Sequence, residues 1–218
     1  MRYSYIRTPM NALLGYNQLM KKELTDPKLL HYQRAVEQSG NLLLAIINNV
    51  LDMARIESGR VELDESYARI DQTVDEIKSV FEPQADKKGL NLIFETQVEH
   101  QHVLCDITKT KQILVNLISN AVKYTPNGKS IHVTIKEVAS DDKMAQYCFI
   151  CEDTGIGMSE EYLPHIFEEF SREHTSTENK VVGTGLGLPI VKSLIELMGG
   201  NIKAESSQEV GTKFTVTL

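Results

Sequence analysis

The sequence predicts an α+β fold: an N-terminal helical hairpin over residues 1–58, half of a dimeric four-helix bundle, followed by a two-layer α/β sandwich over residues 59–218. Up to about residue 58, apolar residues recur at steps of three and four, the period of packed helices. Beyond that, helical periods are interleaved with short strand-like runs, the pattern of a mixed sandwich. Two glycine clusters, Asp153-Thr154-Gly155-Ile156-Gly157 and Gly183-Thr184-Gly185-Leu186-Gly187-Leu188, let the backbone pass close to a ligand, and the second opens a helix.

The elements follow in order. Ile6, Met10, Leu13, Asn17, Met20 and Leu24 form the first helical seam. Leu29, Tyr32, Val36, Ser39, Leu43, Ile46, Val50 and Met53 form the second. Thr25-Asp26-Pro27 separates them, with Pro suited to the first turn of a helix, and Ser58-Gly59 ends the second. Two helices with one apolar stripe each cannot enclose a core alone, so a second copy is expected to complete the bundle. Residues 70–88 read as a helix stopped by Lys87-Lys88-Gly89. Residues 90–94 and 103–105 read as strands, and 106–124 as a helix. Residues 130–138 and 145–152 read as strands around the polar Ser140-Asp141-Asp142-Lys143 turn. A helix over 186–198, ended by Gly199-Gly200, and strands over 202–205 and 212–217 complete the chain. The polar segment 171–182 is expected to be a mobile lid.

Composition excludes several classes. A net charge of −7 argues against a general nucleic-acid binder, which needs clustered Lys and Arg. No apolar run approaches the ~18 residues needed to span a bilayer. No signal peptide is visible, so a cytoplasmic location without membrane contact is expected, with a parent that could be membrane-anchored. Three Cys are too few for a disulfide framework. Cys148 and Cys151 are expected on opposite faces of one strand, as packing thiols. The six His show no metal spacing.

The chemistry lies in three places. Asn116 and Asn120, four apart, share one helix face and offer amide oxygens suited to Mg²⁺. Asp153 sets a carboxylate among glycines. The Gly183–Gly187 cluster precedes a helix N-terminus, which favours phosphate. Together these describe a nucleotide site.

These residues, in this order and spacing, resemble the catalytic core of the sensor histidine kinases of two-component signalling, over residues 6–218. Ile6-Arg7-Thr8-Pro9-Met10-Asn11 resembles the end of that family's phosphoacceptor motif, and Asn116 to Tyr124 its N box. Asp153 to Gly157 and Gly183 to Leu188 match its glycine boxes, Phe167 to Arg172 its F box, and Gly211-Thr212-Lys213-Phe214 the end of its last box. Each alone is weak; the ordered set is specific. The resemblance implies a dimerisation and phosphotransfer hairpin joined to a sandwich of the GHKL ATPase type. It implies ATP and Mg²⁺ as cofactors, a homodimer through the hairpin, and a response-regulator receiver domain as partner. The γ-phosphoryl group of ATP would move to a His and then to the receiver's Asp.

Carried over to this sequence, the resemblance assigns roles residue by residue. Asp153 would accept from the adenine amino group, with Gly155 and Gly157 letting the chain pass under the base. Asn116 and Asn120 would hold Mg²⁺. Lys123 would meet phosphate oxygens and Tyr124 would flank the nucleotide. Arg172 would reach the γ-phosphate. Gly183, Thr184, Gly185, Leu186 and Gly187 would present backbone N–H groups to phosphates, and Thr212 would stand near the base.

The chain departs from the family at the acceptor. The family His lies three residues before the Arg of Arg-Thr-Pro; here that position is Ser4, and the usual acidic neighbour is Tyr5. A Ser hydroxyl without an adjacent base is a poor nucleophile at neutral pH. Thr8 stands where some members place a polar residue that positions water for dephosphorylating the partner. In the family the first hairpin helix extends well upstream of this position, so the resemblance implies that about half of it is absent from this sequence. The expectation is that Met1 to Tyr5 are frayed or foreign to the parent; the alternative is a degenerate member that binds ATP as a signal. Either way this chain is expected not to autophosphorylate at position 4. A third reading, a GHKL ATPase of the topoisomerase or chaperone kind, needs a Glu acting on water where Asn116 stands.

Overall fold

The computed structural model describes residues 4–59, 61–140, 144–173 and 184–218, and side chains from residue 9 onward. The hairpin consists of α1 (Ser4–Glu23) and α2 (Pro27–Glu57). Asp26 caps α2 by accepting from the Lys28 N–H at 2.8 Å, with Pro27 in the first turn, as the sequence indicates. Gly59, at φ +62°, takes the left-handed conformation that ends α2.

Between the helices lies a buried polar layer. The Asn17 amide donates to the Gln33 carbonyl at 3.2 Å, and the Gln33 amide donates to the Asn17 carbonyl at 3.3 Å. Nearer the N-terminus, Gly40 lets Leu14 approach so closely that a Cβ would meet its Cδ2 at 2.7 Å. The seam residues on the outer face of α2, Leu29, Tyr32, Val36, Leu43 and Val50, are exposed.

The sandwich has a five-stranded sheet with the order β2–β4–β5–β7–β6: β2 (Asn91–Gln97), β4 (Ser130–Ser140), β5 (Ala145–Asp153), β7 (Gly211–Thr217) and β6 (Asn201–Ser207). β2 pairs in parallel with β4; the other pairings are antiparallel. Alternation sets the faces. Ile131, Val133 and Ile135 on β4, Tyr147, Phe149 and Cys151 on β5, and Phe214 and Val216 on β7 point to one side and are buried. Helices α3 (Ile70–Lys88), α4 (Ile107–Tyr124) and α5 (Gly187–Leu197) cover that side with Ile77, Phe81, Ile113, Leu117, Ile190 and Leu194. Cys148 and Cys151 are both buried and, three apart on β5, face opposite ways.

The structure adds one strand to the expected set. β1 (Ser66–Arg69) pairs antiparallel with β3 (His102–Cys105) in a separate two-stranded sheet. Its four residues carry no apolar alternation, and cross-strand pairing with β3 fixes it instead. The expected turn at 140–143 lies mostly outside the described residues. Asp106 caps α4 through its carboxylate and the Lys109 N–H, 2.9 Å apart. At the other end, the Lys88 ammonium donates to the Val122 carbonyl at 2.7 Å and the Thr125 carbonyl at 2.9 Å, filling acceptors left open where α4 ends. Among the described residues no helix is long and apolar enough to cross a membrane.

The hairpin rests on the sandwich through the C-terminal half of α2. Met53 and Ile56 pack against the sandwich core, and the Gln112 amide donates to Asp52 at 3.2 Å.

Candidate nucleotide-binding site

One cavity of about 370 Å³ opens between α4, the ends of β5 and β7, the segment before α5, and α2. It gathers residues far apart in sequence: Asn116, Asn120, Lys123 and Tyr124 from α4, Asp153 at the end of β5 and Gly157 beyond it, Arg172, Thr184, Gly185 and Gly187, and Thr212 on β7.

Asp153 ends β5 and pairs in register with Thr212. Its carboxylate accepts from the Gly155 N–H at 2.8 Å. Burial pushes its pKa up to about 6, against the pull of the backbone N–H groups of Gly155 and Thr212. Gly155 does not line the cavity; a Cβ there would sit 2.5 Å from the Asp153 carboxylate and 2.8 Å from the Tyr124 carbonyl, so glycine is what lets this carboxylate turn back on the chain. Gly157, at φ +64°, passes so close to the Ser207 carbonyl that a side chain has no room. Thr212 is held by Ser206, whose hydroxyl is 2.9 Å from its own.

On α4 the Asn116 amide N–H₂ donates to the Gln112 carbonyl at 2.9 Å. Its Oδ1 is thereby turned toward Gly187, 3.1 Å from where a Cβ would be. Lys123 and Arg172 bring positive charge. Burial and the nearby Arg172 both lower the Lys123 pKa, and the ammonium lies 4.9 Å from the Tyr124 ring centre. Burial raises the Tyr124 pKa, which Arg172 partly offsets.

Gly185 takes φ +71°, and a Cβ there would meet the Phe170 backbone at 2.8 Å. Phe170, itself at φ +59°, donates its N–H to the Gly185 carbonyl at 3.0 Å. That clasp ties the segment after β5 to the segment opening α5. Leu186 points away from the cavity: its side chain is 1% exposed in the core, while its N–H donates to the Thr184 hydroxyl at 3.2 Å. Its contribution is structural, because the glycines on either side leave it as the apolar anchor of the turn.

Gly183 and most of the expected 171–182 lid lie outside the described residues; only Ser171, Arg172 and Glu173 of it are described. Ser4 and Thr8 stand in the first turns of α1, and their side chains are outside the described set. Sequence reasoning missed α2, whose Leu42, Ala45 and Asn49 form one wall of the cavity, and the apolar lining that Met158, Tyr162, Ile166 and Phe214 supply. Two adjacent amides, Asn48 and Asn49, interrupt an apolar run on α2, and nothing local distinguishes the one that lines the cavity.

The arrangement suits a nucleotide. A buried carboxylate, two cations and a glycine-rich helix start line the same cavity. It also fits Mg²⁺. The amide oxygens of Asn116 and Asn120 are hard neutral ligands. Among the described residues no cluster of His, Cys, Asp or Glu could hold a metal, so phosphate oxygens would have to supply the balancing charge.

Comparison with known proteins agrees. Residues 105–218 match the family described as histidine kinase-, DNA gyrase B-, and HSP90-like ATPases, and residues 6–59 match the His Kinase A (phospho-acceptor) domain. The chain is 34% identical over 215 residues to the autoinducer 2 sensor kinase/phosphatase LuxQ of Vibrio parahaemolyticus, covering 98% of this chain and 25% of that protein. It is 36% identical over 214 residues to the sensor histidine kinase GacS of Pseudomonas protegens, covering 98% and 23%. The chain thus spans about a quarter of the length of these relatives. Among solved structures, full-length ShkA in complex with AMPPNP superposes with a TM-score of 0.80 at 29% identity, over 99% of this chain and 44% of that one. Histidine kinase ThkA in complex with the response regulator protein TrrA superposes with a TM-score of 0.66 at 27% identity, over 98% and 58%. A hairpin of the phospho-acceptor kind, an ATPase sandwich of this family and a cavity lined by its motif residues make the chain a member of the sensor histidine kinases of two-component systems.

Proposed function

We propose that this chain is the ATP-binding core of a sensor histidine kinase. In its parent the γ-phosphoryl group of Mg-ATP passes to a His on the hairpin and then to an Asp of a response-regulator receiver domain, on the cytoplasmic side. The observation that carries this is the convergence of Asp153, Asn116, Asn120, Lys123, Arg172 and the Gly185–Gly187 turn on one cavity. Asp153 accepts from the adenine amino group. Thr212 steadies that end through the strand pairing it shares with Asp153. Asn116 and Asn120 hold Mg²⁺ through their amide oxygens; the ion neutralises phosphate charge when bound. Lys123 and Arg172 hold the phosphate chain, and Arg172 offsets charge as the γ-phosphoryl group leaves. The likeness to ShkA with AMPPNP and to ThkA with its response regulator supports both the nucleotide and the partner.

The hairpin geometry supports transfer near position 4. Continuing the facing of Asn17 with Gln33, and of Leu14 with Gly40, toward the N-terminus brings the start of α1 level with the part of α2 that carries Asn49, a wall of the cavity. With Ser4 there, the donor is built and the acceptor is not.

Incubation with labelled ATP and Mg²⁺ should therefore give nucleotide binding without acid-labile phosphohistidine. The double variant Ser4→His with Tyr5→Glu should become labelled. Label on a His of the unaltered chain would show that the acceptor lies elsewhere. A double variant that binds ATP and stays unlabelled would favour the second reading, which Ser4 itself motivates: a module that signals by ATP occupancy alone.

A further inference from the structure

We infer that Asn49, on the hairpin, is a positioning residue for the phosphate end of the nucleotide: it fixes the Thr184 hydroxyl so that its proton is offered to a phosphate oxygen. The inference rests on the nucleotide reading of the cavity. Two donors converge on the Thr184 oxygen: the Asn49 side-chain amide at 3.2 Å and the Leu186 N–H at 3.2 Å. A hydroxyl oxygen has two lone pairs and one proton. With both lone pairs engaged, the proton must point away from Asn49 and Leu186. Thr184 and Asn49 both line the cavity, next to Gly185 and Gly187 where α5 begins. A phosphate chain in that cavity would offer the acceptor for this proton.

Asn49 lies 135 residues from Thr184 in sequence and belongs to the helix whose other face carries the dimer seam. Leu42 and Ala45, on the same side of α2, bring that helix against the cavity. Hairpin docking and phosphate binding are then coupled through one hydroxyl rotor. By linkage, a bound triphosphate favours the docked hairpin as much as docking favours the triphosphate. The recognised chemistry is a nucleoside di- or triphosphate; a nucleoside without phosphates does not reach this contact.

The test is a double-mutant cycle on the whole chain, read by titration calorimetry with Mg²⁺ and three probes: AMPPNP, ADP and adenosine. Asn49→Ala should bind AMPPNP and ADP about 3- to 10-fold more weakly, the range expected for one hydrogen bond, with adenosine affinity unmoved. Thr184→Val should lose a similar factor. The double variant should be no weaker than Thr184→Val alone, because both changes break one chain of contacts. Thr184→Ser keeps the hydroxyl, so it should recover most of what Thr184→Val loses and stay sensitive to Asn49→Ala. Ala is a better helix former than Asn, so α2 should survive, and far-ultraviolet circular dichroism checks this. Additive losses, equal weakening of adenosine, or phosphate affinities indifferent to Asn49→Ala would each overturn the inference. Failure of the unaltered chain to bind AMPPNP would instead remove the nucleotide reading itself, and the inference with it.

Discussion

In the function proposed above, Asp153 trades stability for recognition. Its pKa is raised from 3.8 to about 6, mainly by burial. The folded state therefore holds a proton that the unfolded chain has released between those two values. Stability contributed by this group is greatest at low pH and falls as pH rises through that window. Above it the buried carboxylate costs up to roughly 3 kcal/mol. The adenine recognition proposed for it has the opposite need, since a charged carboxylate is the stronger acceptor for the amino group. Adenosine affinity should accordingly fall as pH drops below about 6, and calorimetry between pH 8 and pH 5 reads this; a flat profile would separate Asp153 from the base. Asp153→Asn should raise the melting temperature of the free chain at pH 7.5 while weakening ADP binding about tenfold, the loss expected when a charged acceptor becomes neutral. The polar and glycine residues of the cavity were legible where their chemistry is local: glycines needed where backbone passes close, amides repeated on one helix face, a carboxylate among them; its apolar lining, such as Met158, Tyr162 and Phe214, was not. Leu186 was named by its place in a motif, yet its side chain belongs to the core. Asn49 was illegible as a site residue because only the docking of α2, a long-range event, brings it to Thr184.

At the scale of elements, α4 is the part on which the site depends, and both its ends are held by side chains. Asp106 closes the start, and Lys88, from the last turn of α3, closes the finish. The sequence marks Lys88 only as a helix-stop residue. Its reach to the Val122 and Thr125 carbonyls depends on how α3 and α4 pack, and no local pattern encodes that. Lys88→Met keeps the apolar stem and removes the ammonium, leaving partly buried carbonyls without a donor. The expected cost is about 1–2 kcal/mol of stability. Because Lys123 and Tyr124 sit in the same last turn, nucleotide affinity should fall as well. Chemical denaturation and ADP titration of the same variant test both; unchanged stability would make the contact a surface ion–dipole pair of no consequence. The helices were legible because each carries a long apolar stripe. β1 was not, since four residues are too few to show a period. The parallel pairing of β2 with β4 was equally hidden, because strand order follows from which neighbours cover which face, not from either strand's own residues.

At the scale of the whole molecule, the hairpin has two faces with different tasks. One side of α2 meets the sandwich through Met53 and Ile56 and lines the cavity through Leu42, Ala45 and Asn49. Elsewhere the hairpin leaves apolar side chains in water: Leu13 and Met20 on α1, and Leu29, Tyr32, Val36, Leu43 and Val50 on α2. These positions belong to the heptad-like seams of the sequence, and a stripe of this kind is stable only when covered. A second copy offers the same stripe, and each Å² of apolar surface removed from water contributes about 25 cal/mol. The buried Asn17–Gln33 layer adds specificity, since an offset pairing of the helices would strand both amides away from their carbonyl partners. We therefore propose a homodimer through the hairpin, closed by a four-helix bundle. Leu43→Glu together with Val50→Glu places like charges on the seam while leaving the cavity wall intact. Sedimentation across concentration should show the unaltered chain associating and the variant monomeric, and the variant should still bind AMPPNP. An unaltered chain that stays monomeric at all concentrations with a folded hairpin would rule the dimer out. Loss of AMPPNP binding on monomerisation would mean that the partner copy completes the nucleotide site, a stronger coupling between bundle and cavity than one chain's contacts require.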